Sequence, residues 1–291
     1  VAFFARPAGV AFAVCAIICA QVGVVASVPL MTAEGSFRIS ALRVLCAALI
    51  VLAVVRPRLQ VYDRRQWKAA AALGVAMSVM LMCYFAAVTR IPAGIAVAIQ
   101  FLGPVGVAVY AMTGWSRAIL PGLAALGIAA MSLGDGGWLL APLGVAFALG
   151  GAVGWAAHIV LMRRIGILFS ALDGLSLSLS IAAMITLPVS FLLEPGTMSL
   201  SYLPAIAGLA LLLPLIPFFL EMLALRRLDL GTFSILMSLE PALGALLGYV
   251  VLSQSLSLQQ MAGMLGVMSA SVGAVALSSK AGRRIVAARD K

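Results

Sequence analysis

Two carboxylates stand inside runs that are otherwise apolar. Glu240 lies in the run Gly231–Leu252, directly before Pro241, and Glu221 lies in Leu203–Leu223, after Pro214 and Pro217. A charge in hydrocarbon costs at least about 2.5–3.5 kcal/mol on insertion scales, so each needs a reason. Pro241 has no N–H to donate and loosens the carbonyl four residues earlier, that of Met237. Glu240 therefore sits beside a freed carbonyl, with Gly244 one turn further on. A carboxylate so placed can exchange a proton for an ammonium or other cationic group; the other reading is a polar contact between helices. Glu221 also has two readings. It either snorkels toward Arg226 or Arg227 as an interfacial ion pair, or it faces a cavity and binds ligand or proton.

Three further polar side chains share this setting. Gln100 lies four residues before Pro104, so the carbonyl that Pro104 frees is its own. Its amide can bind a ligand without titrating, or pack between helices. Arg43 sits one turn into the run Ile39–Val55. It either reaches the interface or pairs internally with a glutamate and clamps a carboxylate. His158, the single histidine, follows Trp155 near the end of Leu143–Met162. A lone histidine there reads as a packed or interfacial residue before a proton relay. Gln21 and the pair Tyr84-Phe85 are weaker cavity-lining candidates. Asp63, Asp135, Asp173, Glu194, Asp229 and Asp290 fall in loops or tail and are expected to be solvated.

The elements that must position these groups are apolar helices. The chain has 291 residues, 64% of them hydrophobic and 10% charged. A soluble domain carries about 25% charged residues, so this chain lacks the polar side chains to cover a water-facing surface. Ten runs are near the 20 or so residues needed to span a bilayer: 8–28, 39–55, 69–88, 93–112, 118–133, 143–162, 174–193, 203–223, 231–252 and 258–277. They lack the polar/apolar alternation of membrane barrels. With the N-terminus in the cytoplasm, sixteen Lys and Arg residues fall in inner segments and only Arg38 and Arg90 in outer loops. The positive-inside rule predicts this bias, and one missed or invented span would scramble it. Net charge is +10, but the basic residues sit in short loops between spans. They read as topology determinants facing an anionic leaflet rather than as a nucleic-acid surface.

Residues Ala87–Pro104 return as Ala224–Pro241, 137 positions later, with Ala, Arg90/Arg227, Gly94/Gly231, Leu and Pro104/Pro241 in matched places. Gly9–Ala13 returns as Gly144–Ala148 at an offset of 135. Ten spans divide into two fives, and because five is odd the second unit enters the membrane from the opposite side. The expected fold is an all-α integral membrane protein of ten transmembrane helices in two inverted five-helix repeats. Its bounds are 1–138 and 139–278, followed by a basic cytoplasmic tail at 279–291. Helices broken at matching places in inverted halves point to a transport site. The pairs Gly150/Gly154 and Gly244/Gly248 fit close helix packing.

Several chemistries are not expected. There is no Walker-type glycine loop, no His/Cys metal cluster and no serine-histidine-acid arrangement. Cys15, Cys19, Cys46 and Cys83 all lie in apolar runs and read as small packing residues. No cleavable signal peptide is expected, because the first apolar run is followed by more of the same. The residues thus point to a gradient-driven carrier with no cofactor or metal, not to an enzyme.

The segments Pro92–Pro104, Leu220–Leu228 and Leu236–Leu243, with Ala41-Leu42-Arg43 and Trp155, resemble the EamA-type branch of the drug/metabolite transporter superfamily, and within it the threonine/homoserine exporter group. The resemblance covers most of the chain. It implies an inner-membrane exporter of small amino acids working by proton antiport. It also implies that Glu221, Glu240 and Arg43 match the group's acidic and basic positions. Two departures are Gln100, where the group carries glutamate, and His158, where it carries tyrosine. They bear on substrate and proton stoichiometry. Exporters of drugs or other metabolites in the same superfamily, and a non-transporting sensor or scaffold, are the alternatives. Oligomeric state is not legible.

Overall fold

A computed structural model describes residues 2–110, 141–169, 171–196, 199–225, 227–228, 239–253 and 257–270, with isolated positions at 119–127, 233–237 and 272–273. Every long element among them is a helix. In lipid the backbone must satisfy its own hydrogen bonds, and a helix does so within one segment. The elements are α1 (Ala2–Glu34), α2 (Ser36–Val55), α3 (Arg64–Val88), α4 (Ala93–Gln100), α5 (Leu102–Tyr110), α6 (Pro142–Leu168), α7 (Ala171–Leu193), α8 (Leu203–Ala210), α9 (Ile216–Leu225) and α10 (Glu240–Leu252). Residues 258–270 form α11. Six stretches among the described residues are long and apolar enough to cross a bilayer: Pro7–Glu34, Ser36–Val55, Arg64–Val88, Pro142–Leu168, Leu172–Leu193 and Leu203–Ala224. Ala93–Val107 and Glu240–Leu252 are shorter apolar helices. The span expected at 118–133, Arg117, Arg226 and the tail at 279–291 lie largely or wholly outside the described residues.

Local chemistry sets the helix ends. Asp63 and Gln66 form a reciprocal capping box on α3: Gln66 N–H donates to Asp63 Oδ1 at 2.7 Å, and Asp63 N–H donates to Gln66 Oε1 at 2.9 Å. α1 turns directly into α2 at Gly35, whose φ of 102° suits a residue without Cβ. There the Glu194 carboxylate accepts the N–H groups of Phe37 (3.3 Å) and Arg38 (2.9 Å). Arg38 in turn donates to the Glu194 carbonyl at 2.6 Å. Glu194 is therefore not a solvated loop residue but the partly buried cap of α2. An anion at a helix N-terminus satisfies orphan donors and meets the positive end of the dipole.

Helix α3 is the packing axis, lying against α6 and α7, while α2 lies against α7, and α1 against α9 and α10. Small residues permit the close approaches. A side chain at Gly154 would come within 2.6 Å of the Met80 backbone, and one at Gly74 within 2.8 Å of the Ser178 carbonyl. The Gly150/Gly154 pair thus seats α6 on α3.

The contacts also order the two ends of the bundle. Phe37 at the start of α2 meets Phe147 at the start of α6, with ring centroids 5.6 Å apart. Arg90, just past α3, reaches the same Phe147. The junction of α1 and α2 therefore lies at the Arg90 end. At the other end, Tyr62 before α3 meets Phe169 after α6, at 5.2 Å. The N-terminal part of α1 is a long helix away from Gly35, and its Phe12 meets Arg227. Arg90 and Arg227, matched in the sequence repeat, occupy opposite ends.

Candidate functional site

Three of the expected spans are interrupted. The run at 93–112 is disturbed at Phe101, between α4 and α5, where the backbone stays near-helical (φ −62°, ψ −12°) and Pro104 falls in the first turn of α5. The run at 231–252 turns at Leu239, and α10 begins with Glu240 and Pro241. The run at 203–223 breaks between α8 and α9. Leu213 there is extended (φ −162°, ψ 124°) immediately before Pro214. Prolines remove a donor at each place, and the chain turns where the ladder is weakest.

These breaks surround one small cavity of about 60 Å³. Its polar wall is built from Gln21 of α1, Tyr84 of α3, Gln100 of α4, His158 of α6, Glu221 of α9 and Glu240 of α10. The structure thus brings together four of the five polar residues singled out from the sequence. Glu221 faces this cavity. Its suggested partner Arg227 instead donates to the Leu223 carbonyl at 3.1 Å and stacks on Phe12. His158 is buried, its ring 5.1 Å from that of Phe218. Trp155 meets Phe101 edge-on at 5.0 Å and fixes the wall beside the α4 break. Gln21 Oε1, Tyr84 Oη and His158 Nδ1 are buried without a hydrogen-bond partner among the described residues. Such atoms are costly in a dry apolar wall, and a polar occupant would satisfy them.

Arg43 neither reaches the interface nor pairs with a glutamate among the described residues. It is 1% exposed, so it does not reach the interface. Among the described residues its hydrogen bonds go to Ser27 Oγ (2.5 Å) and to the carbonyls of Leu213 (2.6 Å) and Leu209 (3.2 Å), not to a glutamate. The guanidinium also stacks on Phe85, 4.6 Å from the ring centroid. Both carbonyls belong to the α8–α9 break. Pro217 has no N–H to donate to the Leu213 carbonyl, and the guanidinium bridges the break from that carbonyl to the one of Leu209. Arg43 supplies the donor that Pro217 lacks and holds the irregular stretch that leads into α9, the helix that carries Phe218 and Glu221. Ser27 donates onward to the Gly23 carbonyl.

The repeat is unequal at its centre. Gly103 is the counterpart of Glu240, yet a Cβ on Gly103 would run into the Ala152 carbonyl oxygen. At Gly244 a Cβ would stand 3.0 Å from Gln21 Oε1, so this glycine keeps the wall beside Glu240 clear. The first half uses its glycine for packing; the second half carries the acid. Sequence reasoning had no signal for the carbonyl partners of Arg43 or the Ala152 contact, because both join residues far apart in the chain. Ser27, a hydroxyl in an apolar run, was the one visible hint.

A model of the EamA-like transporter family matches this chain twice, over residues 7–134 and 142–276. The chain belongs to that family. It is also 31% identical over 256 residues to the threonine/homoserine exporter RhtA of Escherichia coli K12, covering 84% of this chain and 82% of that protein. The RhtA of Salmonella typhimurium LT2 matches to the same extent. A crystal structure of a further protein, 17% identical, aligns with a TM-score of 0.60 over 96% of this chain and 99% of the other. That likeness concerns the fold. Family membership makes the chain a multi-pass membrane transporter protein. It also gives the doubled family match a structural meaning, since each copy contributes one of the helices interrupted at Phe101 and Leu239.

Proposed function

We propose that this protein exports small neutral amino acids of the threonine/homoserine kind across the bacterial inner membrane, by proton antiport and alternating access. The observation that carries the reading is the placing of Glu221 and Glu240, from different broken helices, on one small cavity with Gln100. A zwitterion needs an acidic partner for its ammonium, which either glutamate supplies. For its carboxylate the positive features at hand are the N-terminal end of the half-helix α10 and the buried Arg43, whose Nη atoms hold carbonyls while its Nε has no partner among the described residues. One glutamate carries a proton in one facing state and releases it to bind the ammonium in the other. The cavity lining, two carboxylates with amide, phenol and imidazole groups, suits a small polar cargo better than a large apolar drug. The names of the relatives point the same way.

The same proposal includes ten spans in two inverted repeats, 1–138 and 139–278, with both ends and the tail at 279–291 cytoplasmic. The charge bias supports this orientation, and the placing of Arg90 and Arg227 at opposite ends supports the inversion. The test is efflux of labelled threonine and homoserine from loaded cells, comparing the native chain with Glu240→Gln. Proton-driven efflux should fall to background in the variant while the protein stays in the membrane. Full efflux by Glu240→Gln would refute the mechanism.

A further inference from the structure

Two surface contacts match, one at each end of the bundle, and nothing in the site described above uses them. At one end the Arg90 guanidinium carbon lies 5.2 Å from the centroid of Phe147; at the other, that of Arg227 lies 5.0 Å from the centroid of Phe12. The correspondence extends to the backbone. Arg90 Nη1 donates to the Ala86 carbonyl, four residues back, at 2.6 Å, and Arg227 Nη1 donates to the Leu223 carbonyl, also four back, at 3.1 Å. The turns close alike, with Arg90 and Ile91 N–H on the Ala87 carbonyl (2.8 and 2.9 Å), and Arg227 and Leu228 N–H on that of Ala224 (2.9 and 2.8 Å). Each turn rests on a glycine of the other copy. A Cβ at Gly144 would stand 2.8 Å from Ile91 and 3.0 Å from Arg90 Cβ; one at Gly9 would stand 2.8 Å from Leu228 and 3.0 Å from Arg227 Cβ.

In each case a turn after one copy's third or eighth span is fastened to the first helix of the other copy. An arginine over an aromatic face at the surface is a weak, reversible tie. Two equivalent ties at opposite ends, each joining the two halves, are suited to closing opposite mouths of one cavity. We infer that Arg90–Phe147 and Arg227–Phe12 are paired gate latches, the first closing the outer mouth and the second the inner. The inference rests on the alternating-access part of the proposed function and not on the identity of the cargo. Opening toward either face separates that face's arginine turn from its phenylalanine and glycine, while the far latch stays shut. Arg90 and Arg227 are thus positioning residues for transport that do not touch the substrate.

The test is hydrogen–deuterium exchange of the full chain in lipid nanodiscs, without substrate, so a wrong cargo assignment cannot affect it. Phe147→Leu keeps an apolar side chain but removes the ring face. It should speed exchange across 84–95 and 142–150 by at least about two- to five-fold, since it removes the surface cation–π tie and also the edge contact of Phe147 with Phe37. It should slow exchange across 8–15 and 221–228, because the outward-open state holds the inner latch closed. Phe12→Leu should give the mirror image, and Phe147→Tyr, which keeps the ring, should exchange like the native protein. Acceleration at both ends in one variant, or no effect at the far end, would overturn the paired gate. Failure of threonine efflux alongside the mirrored exchange pattern would overturn the cargo assignment and leave the latches standing.

Discussion

Replacing Arg43 with methionine separates two roles that the sequence alone cannot distinguish. Methionine fills similar apolar space but removes the donors to Leu209, Leu213 and Ser27 and the stack on Phe85. The buried Leu213 carbonyl and the partly buried Leu209 carbonyl then each lose a charge-assisted hydrogen bond, at about 1–3 kcal/mol each. Part of this is offset, because the variant no longer buries a guanidinium, itself costly to desolvate. A net loss of roughly 2–4 kcal/mol follows. At about 2–4 °C per kcal/mol for a chain of this size class, the apparent Tm should fall by roughly 5–15 °C. The assay is thermal unfolding in one detergent at one scan rate, since membrane proteins of this kind unfold irreversibly and only matched scans compare. Arg43→Lys, which keeps a charge but not the planar fork, should fall between. Efflux should drop in parallel, because the released stretch leads directly into α9, which carries Phe218 and Glu221. A Tm for Arg43→Met within about 1 °C of native, with only the KM for substrate raised, would refute the reasoning and return Arg43 to the role of carboxylate clamp.

Other substitutions probe the framework around the cavity. Gly103→Ala should cost about 1–3 kcal/mol, because its methyl meets the Ala152 carbonyl oxygen, whereas Gly106→Ala in the same helix should be neutral or stabilising, having no heavy atom within 4 Å of its Cβ; paired Tm measurements check both. Glu194→Ala should lower stability by about 0.5–2 kcal/mol through loss of the α2 cap, and Glu194→Gln by less; Tm of the two variants gives the ranking. Gly35→Ala should be worse than Glu194→Gln, since it combines a φ of 102° with a methyl directed at the Glu194 carboxylate; expression and Tm together report it.

Much of the framework is readable along the chain, and for local reasons. Lipid as solvent demands long apolar runs, and those at 69–88 and 203–223 are visible as such before any packing is known. Proline blocks its own hydrogen bond wherever it stands, so Pro104, Pro214 and Pro241 are visible in sequence as candidate breaks, although Pro29 and Pro188 sit inside uninterrupted helices. Glu221, Glu240, Gln100 and His158 stand out because the membrane penalises polar groups without regard to their eventual neighbours. The doubled family match is likewise a property of the sequence.

What a polar group does there depends on partners that only the tertiary fold supplies. Arg43 reads from sequence as a ligand clamp or an interfacial charge; packing of α2 against α8 turns it into the cap of a broken helix more than 160 residues away. Glu194 reads as a solvated loop acid until α7 delivers it to the start of α2. Arg90 and Arg227 read as loop charges until α6 and α1 place a phenylalanine under each. Composition and proline act on the nearest few residues and fix where helices run and where they can break. Hydrogen bonds and ring contacts act over a few ångströms between distant segments, so the work of each polar residue was decided only when those segments met.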